Sequence, residues 1–432
     1  MRAFLTIVVG AGALLGAAPA ASVAHASPIA RRAGATPVAA ARALANTLSR
    51  EIRPAGSASG AYVVDLGTSR TLFSDRAGVA RLPASVEKVY TTSTALVGLG
   101  PDARLTTTVL GRGTLDRYGG WHGTLYLKGG GDPSFGSAPF DRSDYAGGAG
   151  ATVQRLVGNV IREQGITSID GRVVGDESYF DSVRGTPATG LQASTDVEGL
   201  LSALAYDRGL ADERGTAFQT RPARFAAQRF VDALRAARVR IPTRTPIFSG
   251  PAPAGARILA TVHSPSLATL IALTNTPSDN FFAEMLLKVI GARLGSHGST
   301  AAGAAVVRAT LARYFEIHPR LQDGSGLSRA DRTTPRQVVI ALEGMAGNPA
   351  FVDSLALAGE TGTLAHELQG TAAQGRCRGK TGTLHDVSNL VGYCRARDGH
   401  TLAFAFLMNR IDPHSAHQIQ DRMALTLAGY AG

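Results

Sequence analysis

The chain has 432 residues, with 44 Lys or Arg against 33 Asp or Glu and a formal charge of +11. That length allows two or three domains with a core large enough to need no stapling, and average apolar content fits a soluble globular protein. No dense basic block points to nucleic acid, so the positive balance is read as a preference for cell-wall polymers or anionic lipid surfaces, or as arginine usage alone.

The chain begins with Arg2, an apolar run and a small-x-small site at Ala24-His25-Ala26. This pattern predicts a secretory signal over residues 1–26, cut after Ala26, against the alternative of an uncut anchor. No later stretch is apolar for long enough to span a bilayer, so the mature protein is expected to be exported, periplasmic or cell-wall associated. Residues 27–47 suggest a short helix, and Ser59–Ser74 a hairpin turning at Gly67-Thr68-Ser69. A helix follows, with Pro83 near its first turn and Gly98–Pro101 at its end.

From about Pro101 to Pro253 the texture changes to short strands with glycine turns and two helical segments. From about Ala260 helices return, broken at Thr276-Pro277. Three strand-like runs follow, with turns near His385-Asp386 and Asp398-Gly399, and then a closing helix. Similar texture at both ends predicts one α/β domain, residues 27–100 and 259–432, split by a β-rich insertion at 101–258. "TGTL" occurs at Thr361 and again at Thr381, but the flanks differ and no repeat is inferred.

Four lysines stand against forty arginines: Lys88, Lys128, Lys288 and Lys380. Lys88 follows Ser85 by three residues, which places both side chains on one helix face. A serine hydroxyl becomes a strong nucleophile when a base takes its proton. A buried lysine can be that base, whereas arginine stays protonated. The Ser85 N–H, near a helix N-terminus, could face an oxyanion.

Ser278-Asp279-Asn280 precedes an apolar helix, where capping is the ordinary role. Its functional reading gives Ser278 a proton relay and Asn280 the donor and acceptor for a peptide-like substrate. Lys380-Thr381-Gly382-Thr383 opens a strand-like run. There Lys380 and Thr381 could grip a carboxylate, and Gly382 could leave room for a ligand. The Thr383 N–H could complete an oxyanion hole; the plain alternative is an exposed lysine before a turn. On this reading Lys380→Arg should be mild, since only a cation is required. His414-x-x-His417 lacks further ligands and reads as a solvated helix start. No metal or cofactor is called for.

Taken together, S-x-x-K, S-D-N and K-T-G form the signature shared by penicillin-binding proteins and class A β-lactamases. With "GGGDPSF", "SDNFFAEMLLK", "DGSGLSRADRTTP" and "GKTGTLHDVSNLVGY", the chain resembles the serine D-alanyl-D-alanine carboxypeptidase/endopeptidase family, the class C low-molecular-mass penicillin-binding proteins. The resemblance runs from about Ser59 to the C-terminus. It implies a β-lactamase/transpeptidase-like antiparallel sheet flanked by helices, peptidoglycan stem peptides as substrate and β-lactam antibiotics as inhibitors. The alternatives are a β-lactamase or esterase on the same fold, and a non-catalytic peptidoglycan-binding protein. Residues 190–207 match the family less well, and Asn389 stands where a small apolar residue is expected. "DGSGLSRADRTTP" is either a loop bordering the site or a capped helix connection. An even cysteine pair in an exported protein suggests a disulfide, and pairing the flanking runs across His385-Asp386 sets Cys377 opposite Cys394.

Overall fold

A computed structural model describes residues 36–145, 148–212 and 214–432. The predicted signal segment and its cleavage site lie outside these residues. Helix α1 (Pro37–Ile52) starts on the Thr36 side chain, which accepts the Ala39 N–H. Strands β1 (Gly60–Asp65) and β2 (Arg70–Asp75) form the predicted hairpin. The helix carrying the S-x-x-K motif has two parts. A 3₁₀ turn, Ala84–Glu87, leads into α2 (Lys88–Leu99).

Strands β3 (Thr106–Leu115) and β4 (Gly120–Lys128) pair antiparallel; α3 (Ala138–Asp144) and α4 (Val153–Gln164) follow. Strand β5 (Ser168–Asp176) lies parallel to β4, and after α5 (Pro222–Ala236) come β6 (Ile247–Ser249) and β7 (Arg257–His263). These strands form a five-stranded sheet of order β6-β5-β4-β3-β7. Helices α4 and α5 close its core around Trp121, Leu156 and Phe230.

Helices α6 (Leu267–Asn275), α7 (Asn280–Leu294), α8 (Thr300–Phe315), α9 (Pro335–Met345) and α10 (Pro349–Val352) come next. The chain ends with β8 (Ala356–Leu357), β9 (Cys377–Leu384), β10 (Val387–Arg395), β11 (Thr401–Asn409) and α11 (Pro413–Ala428). The main sheet has six strands in the order β2-β1-β11-β10-β9-β8, antiparallel throughout.

Side chains alternate across this sheet as the pleat requires. Ala403, Ala405 and Leu407 of β11 join the core with α2, α7 and α9, while Leu402, Phe404, Phe406 and Met408 join the one with α1 and α11. Burial on both faces explains why β11 reads as a continuous apolar run. Among the described residues no helix is long and apolar enough to cross a membrane.

Cys377 and Cys394 are direct register partners on β9 and β10 and are joined as a disulfide. Lys288, without a role in the sequence reading, is fully buried on α7. It contacts Asp181 at 2.5 Å and donates to the Val183 carbonyl at 2.8 Å, tying α7 to the loop after β5.

Candidate active site

The turn before α2 carries an unusual backbone. Ala84 is fully buried with φ of 47°, a left-handed conformation that costs a non-glycine residue energy. Its neighbours hold it there. A side chain on Gly326 would meet the Ala84 carbonyl oxygen at 1.8 Å, so the "DGSG" loop must have glycine at that point. From the other side Asn389 donates to the carbonyls of Leu82 at 3.0 Å and Pro83 at 2.7 Å, and Asn409 accepts the Leu82 N–H at 2.8 Å. The apolar residue expected at position 389 would leave these buried carbonyls only their longer bonds, from Asn409 Nδ2 at 3.2 Å to Leu82 and from the Val86 N–H at 3.3 Å to Pro83.

Ser85 and Lys88 meet as the three-residue spacing predicts. Lys88 Nζ lies 2.8 Å from Ser85 Oγ, 2.6 Å from Asn280 Oδ1 and 3.1 Å from the Ser325 carbonyl oxygen. The side chain is fully buried, and burial pulls its pKa from 10.5 to about 8 against the opposing pull of Asp279, Glu198, Glu284 and Asp323. A neutral amine has two N–H donors and one lone pair. Asn280 Oδ1 and the Ser325 carbonyl can only accept, so they take the two donors and leave the lone pair for the Ser85 hydroxyl.

The Ser-Asp-Asn segment carries both of its readings, on different residues. Asp279 caps α7 by accepting the Phe282 N–H at 2.8 Å, and Asn280 faces Lys88. Ser278 has φ of 68°, and no hydrogen bond joins its hydroxyl to Ser85 or Lys88. The stretch that matched the family less well supplies one wall of the site. The Asp196 carbonyl accepts from Asn280 Nδ2 at 2.7 Å, Glu198 accepts the Asn280 N–H at 3.0 Å, and Arg208 grips Asp279 with both terminal nitrogens at 2.6 and 3.1 Å.

The K-T-G strand departs from the sequence reading at two positions. Lys380 is fully buried and donates to the Thr381 carbonyl at 2.9 Å; burial, and then the charge of Lys88, drive its pKa well below 10.5. It is therefore no exposed cation before a turn. The space over Gly382 is filled by protein, not left open: a Cβ there would lie 2.7 Å from the Pro83 carbonyl oxygen and 3.2 Å from the Ser85 nitrogen. The glycine lets β9 lie against the turn that carries Ser85. Thr381 donates to Thr363 Oγ1 at 2.9 Å. Thr363 belongs to the first "TGTL", whose sequence likeness to the second was the signal that could have drawn attention to it.

Beneath Lys88 lie four carboxyl groups, Glu87, Glu284, Asp323 and Asp331, each at most 1% exposed; sequence offered only Asp331 a role, as a helix cap, and none a place in the site. Glu284 Oε1 accepts the N–H groups of Gly324 and Ser325 at 2.9 and 2.8 Å, and so fixes the carbonyl that orients Lys88. Burial raises all four pKa values, and repulsion between neighbours adds to it at Glu87, at Glu284 (to about 8) and at Asp331 (to about 9). Glu284 and Asp323 still favour the Lys88 proton, but by less than burial disfavours it. The "DGSGLSRADRTTP" segment is thus a loop bordering the site, and Arg329 ties it to the β9–β10 turn through Asp386 at 2.9 and 3.2 Å.

A serine touching a buried lysine between an antiparallel sheet and a helical layer defines the penicillin-recognising serine acyltransferase class. The model of the D-Ala-D-Ala carboxypeptidase 3 (S13) family matches residues 40–210 and 192–430, and the chain belongs to that family. It is a D-Ala-D-Ala carboxypeptidase of the serine type. The D-alanyl-D-alanine carboxypeptidase of Actinomadura sp. (strain R39) is 30% identical over 87% of this chain and 82% of its own. Carboxypeptidase DacB of Mycolicibacterium smegmatis is 31% identical over 81% of this chain and 76% of its own. Among solved structures, penicillin binding protein 4 of Haemophilus influenzae superposes with a TM-score of 0.70 at 21% identity, covering 88% of this chain and 98% of that one. A predatory peptidoglycan endopeptidase of Bdellovibrio bacteriovorus superposes with a TM-score of 0.54 at 18% identity, over 84% and 90%.

Proposed function

We propose that Ser85 is the nucleophile and Lys88 its base, in the hydrolysis of the terminal D-Ala-D-Ala bond of peptidoglycan stem peptides. The observation that carries this is the buried Lys88 amine 2.8 Å from Ser85 Oγ, with its other donors committed to fixed acceptors. Lys88 takes the Ser85 proton as Oγ bonds to the penultimate carbonyl carbon. The C–N bond then breaks, and the proton passes to the leaving amine from Lys88, with Ser278 as relay. Water adds to the ester, releases the acid and restores the Ser85 hydroxyl. The N–H groups of Ser85 and Thr383 hold the oxyanion. Asn280 holds the substrate backbone, and Lys380 and Thr381 hold the terminal carboxylate through their N–H and O–H donors.

A β-lactam follows the same first step and stays as a slow ester. The signal pattern at residues 1–26 supports export of the mature chain to the cell wall, and export supports persistence of the Cys377–Cys394 bridge. The strands between Thr106 and His263 form a separate sheet, which supports the reading of an inserted domain. The test is intact mass after incubation with benzylpenicillin. A persistent one-drug adduct, lost in Ser85→Ala, is expected. Drug consumed through a transient adduct points to a β-lactamase, and an unchanged mass overturns the reading.

A further inference from the structure

An amide side chain has an acceptor at one end and a donor at the other, so its two orientations are chemically opposite. Asn280 turns Oδ1 to Lys88 Nζ at 2.6 Å and donates Nδ2 to the Asp196 carbonyl at 2.7 Å. Flipped, its Nδ2 would face Lys88. A neutral amine meets a donor only through its lone pair, and Ser85 needs that lone pair. The Asp196 carbonyl disfavours the flip, because it would then face a second oxygen. Whatever fixes that carbonyl against Asn280 therefore keeps Lys88 a base.

Asp196 sits on a tight loop closed by the Ser194–Gly199 bridge and anchored by the fully buried Val197. One side chain fastens this loop to the start of α7. Arg208 donates Nε to the Glu198 carbonyl at 2.8 Å, and its terminal nitrogens to the two carboxylate oxygens of Asp279 at 2.6 and 3.1 Å. Glu198 follows Asp196 by two residues, and Asp279 directly precedes Asn280. The guanidinium also lies over the Phe281 ring, 4.9 Å from its centre. A planar fork can grip both segments at once, whereas an ammonium is a point charge. The loop and Arg208 both come from the stretch between β5 and α5, so this contact carries the fold of that stretch into the site.

We propose that Arg208 is a positioning residue for acylation: by tying the loop to α7 it holds the Asn280 oxygen toward Lys88 and keeps the lone pair free for Ser85. The proposal rests on Ser85 and Lys88 acting as described above.

The experiment follows benzylpenicillin adduct mass over time in the wild type, Arg208→Met, Arg208→Lys, Asn280→Ala and Arg208→Met/Asn280→Ala. Adduct at the endpoint counts the folded sites, and rates are compared per site. Arg208→Met should slow acylation by about 10–100-fold, and Arg208→Lys, which keeps the charge without the fork, by about tenfold. Because Arg208 acts through Asn280, its loss should add less than about threefold once Asn280 is already Ala. An effect on the Lys88 charge, or on the fold, would slow acylation as much in the Asn280→Ala background, and that result would overturn the proposal. Should Arg208→Met fold poorly or Asn280→Ala acylate too slowly to follow, Arg208→Lys decides: the expected slowing supports the clamp, and a wild-type rate per site overturns it. A wild type that forms no adduct would instead overturn the Ser85 reading.

Discussion

Asn389 Nδ2 lies 2.7 Å from the carbonyl oxygen of Pro83, two residues before Ser85, and the same side chain accepts the Met408 N–H at 2.9 Å. One buried amide thus ties the strand next to β9 to the segment that aims the nucleophile. Removing it in Asn389→Ala takes the shorter of two donors from each of two buried carbonyls, leaving Asn409 Nδ2 at 3.2 Å on Leu82 and the Val86 N–H at 3.3 Å on Pro83, and takes the side-chain acceptor from the Met408 N–H. Stability should drop by about 1–3 kcal/mol, the cost of one buried group losing its partner. A falling Tm with slower β-lactam acylation is expected; an unshifted Tm would mean that water replaces the amide.

Lys88→Arg keeps the charge but removes the lone pair. Acylation should fall by about 10²–10⁴-fold, the usual contribution of a positioned base. In the wild type the neutral form grows as pH rises toward Lys88's value of about 8, so the acylation rate should climb through pH 7–8 and level off above it. Rates of benzylpenicillin adduct formation across pH 5–10 measure both effects. A flat profile would remove Lys88 as the titrating base.

Glu284 holds its proton in the folded state up to about pH 8, against an ordinary value of 4.5. A raised folded-state pKa adds stability below the unfolded value and loses it as pH rises through the folded one. Wild-type stability should therefore decline between about pH 4.5 and 8. Glu284→Gln, which keeps an oxygen for the Gly324 and Ser325 N–H groups, should flatten that decline. Urea midpoints at several pH values test this, and parallel wild-type and variant curves would show that Glu284 is ionised after folding.

Lys380→Arg was expected from sequence to be mild. Full burial changes that expectation, because a larger guanidinium must force its way into a packed site, at a cost of about 1–3 kcal/mol. A lowered Tm together with lost acylation is expected. Wild-type Tm in the variant would show a cavity able to take the larger group.

Replacing both Cys377 and Cys394 by Ser opens a loop of 17-residue separation. A loss of roughly 3 kcal/mol follows from the chain entropy released to the unfolded state. Denaturation of the oxidised, reduced and substituted forms checks it. Equal midpoints in all three would show a bridge without effect on stability.

The sequence by itself determined the chemistry of this protein and the local frame that carries it. Ser85 and Lys88 are three residues apart, so any helical turn brings them together. Cys377 and Cys394 lie symmetrically about one hairpin turn, so their meeting follows from strand register. Short-range periodicity is written directly into the order of residues. Tertiary structure alone decided which distant groups make that chemistry work. Asn280 and the Ser325 carbonyl reach Lys88 across 192 and 237 positions, and no local pattern encodes such a distance. Lys380, Glu87 and Asp331 look like surface residues by type, yet packing buries them, and burial rather than identity sets their charge. Gly326 and Gly382 could be turn glycines in any reading of the sequence. Only the close approach of other backbone shows why nothing larger fits.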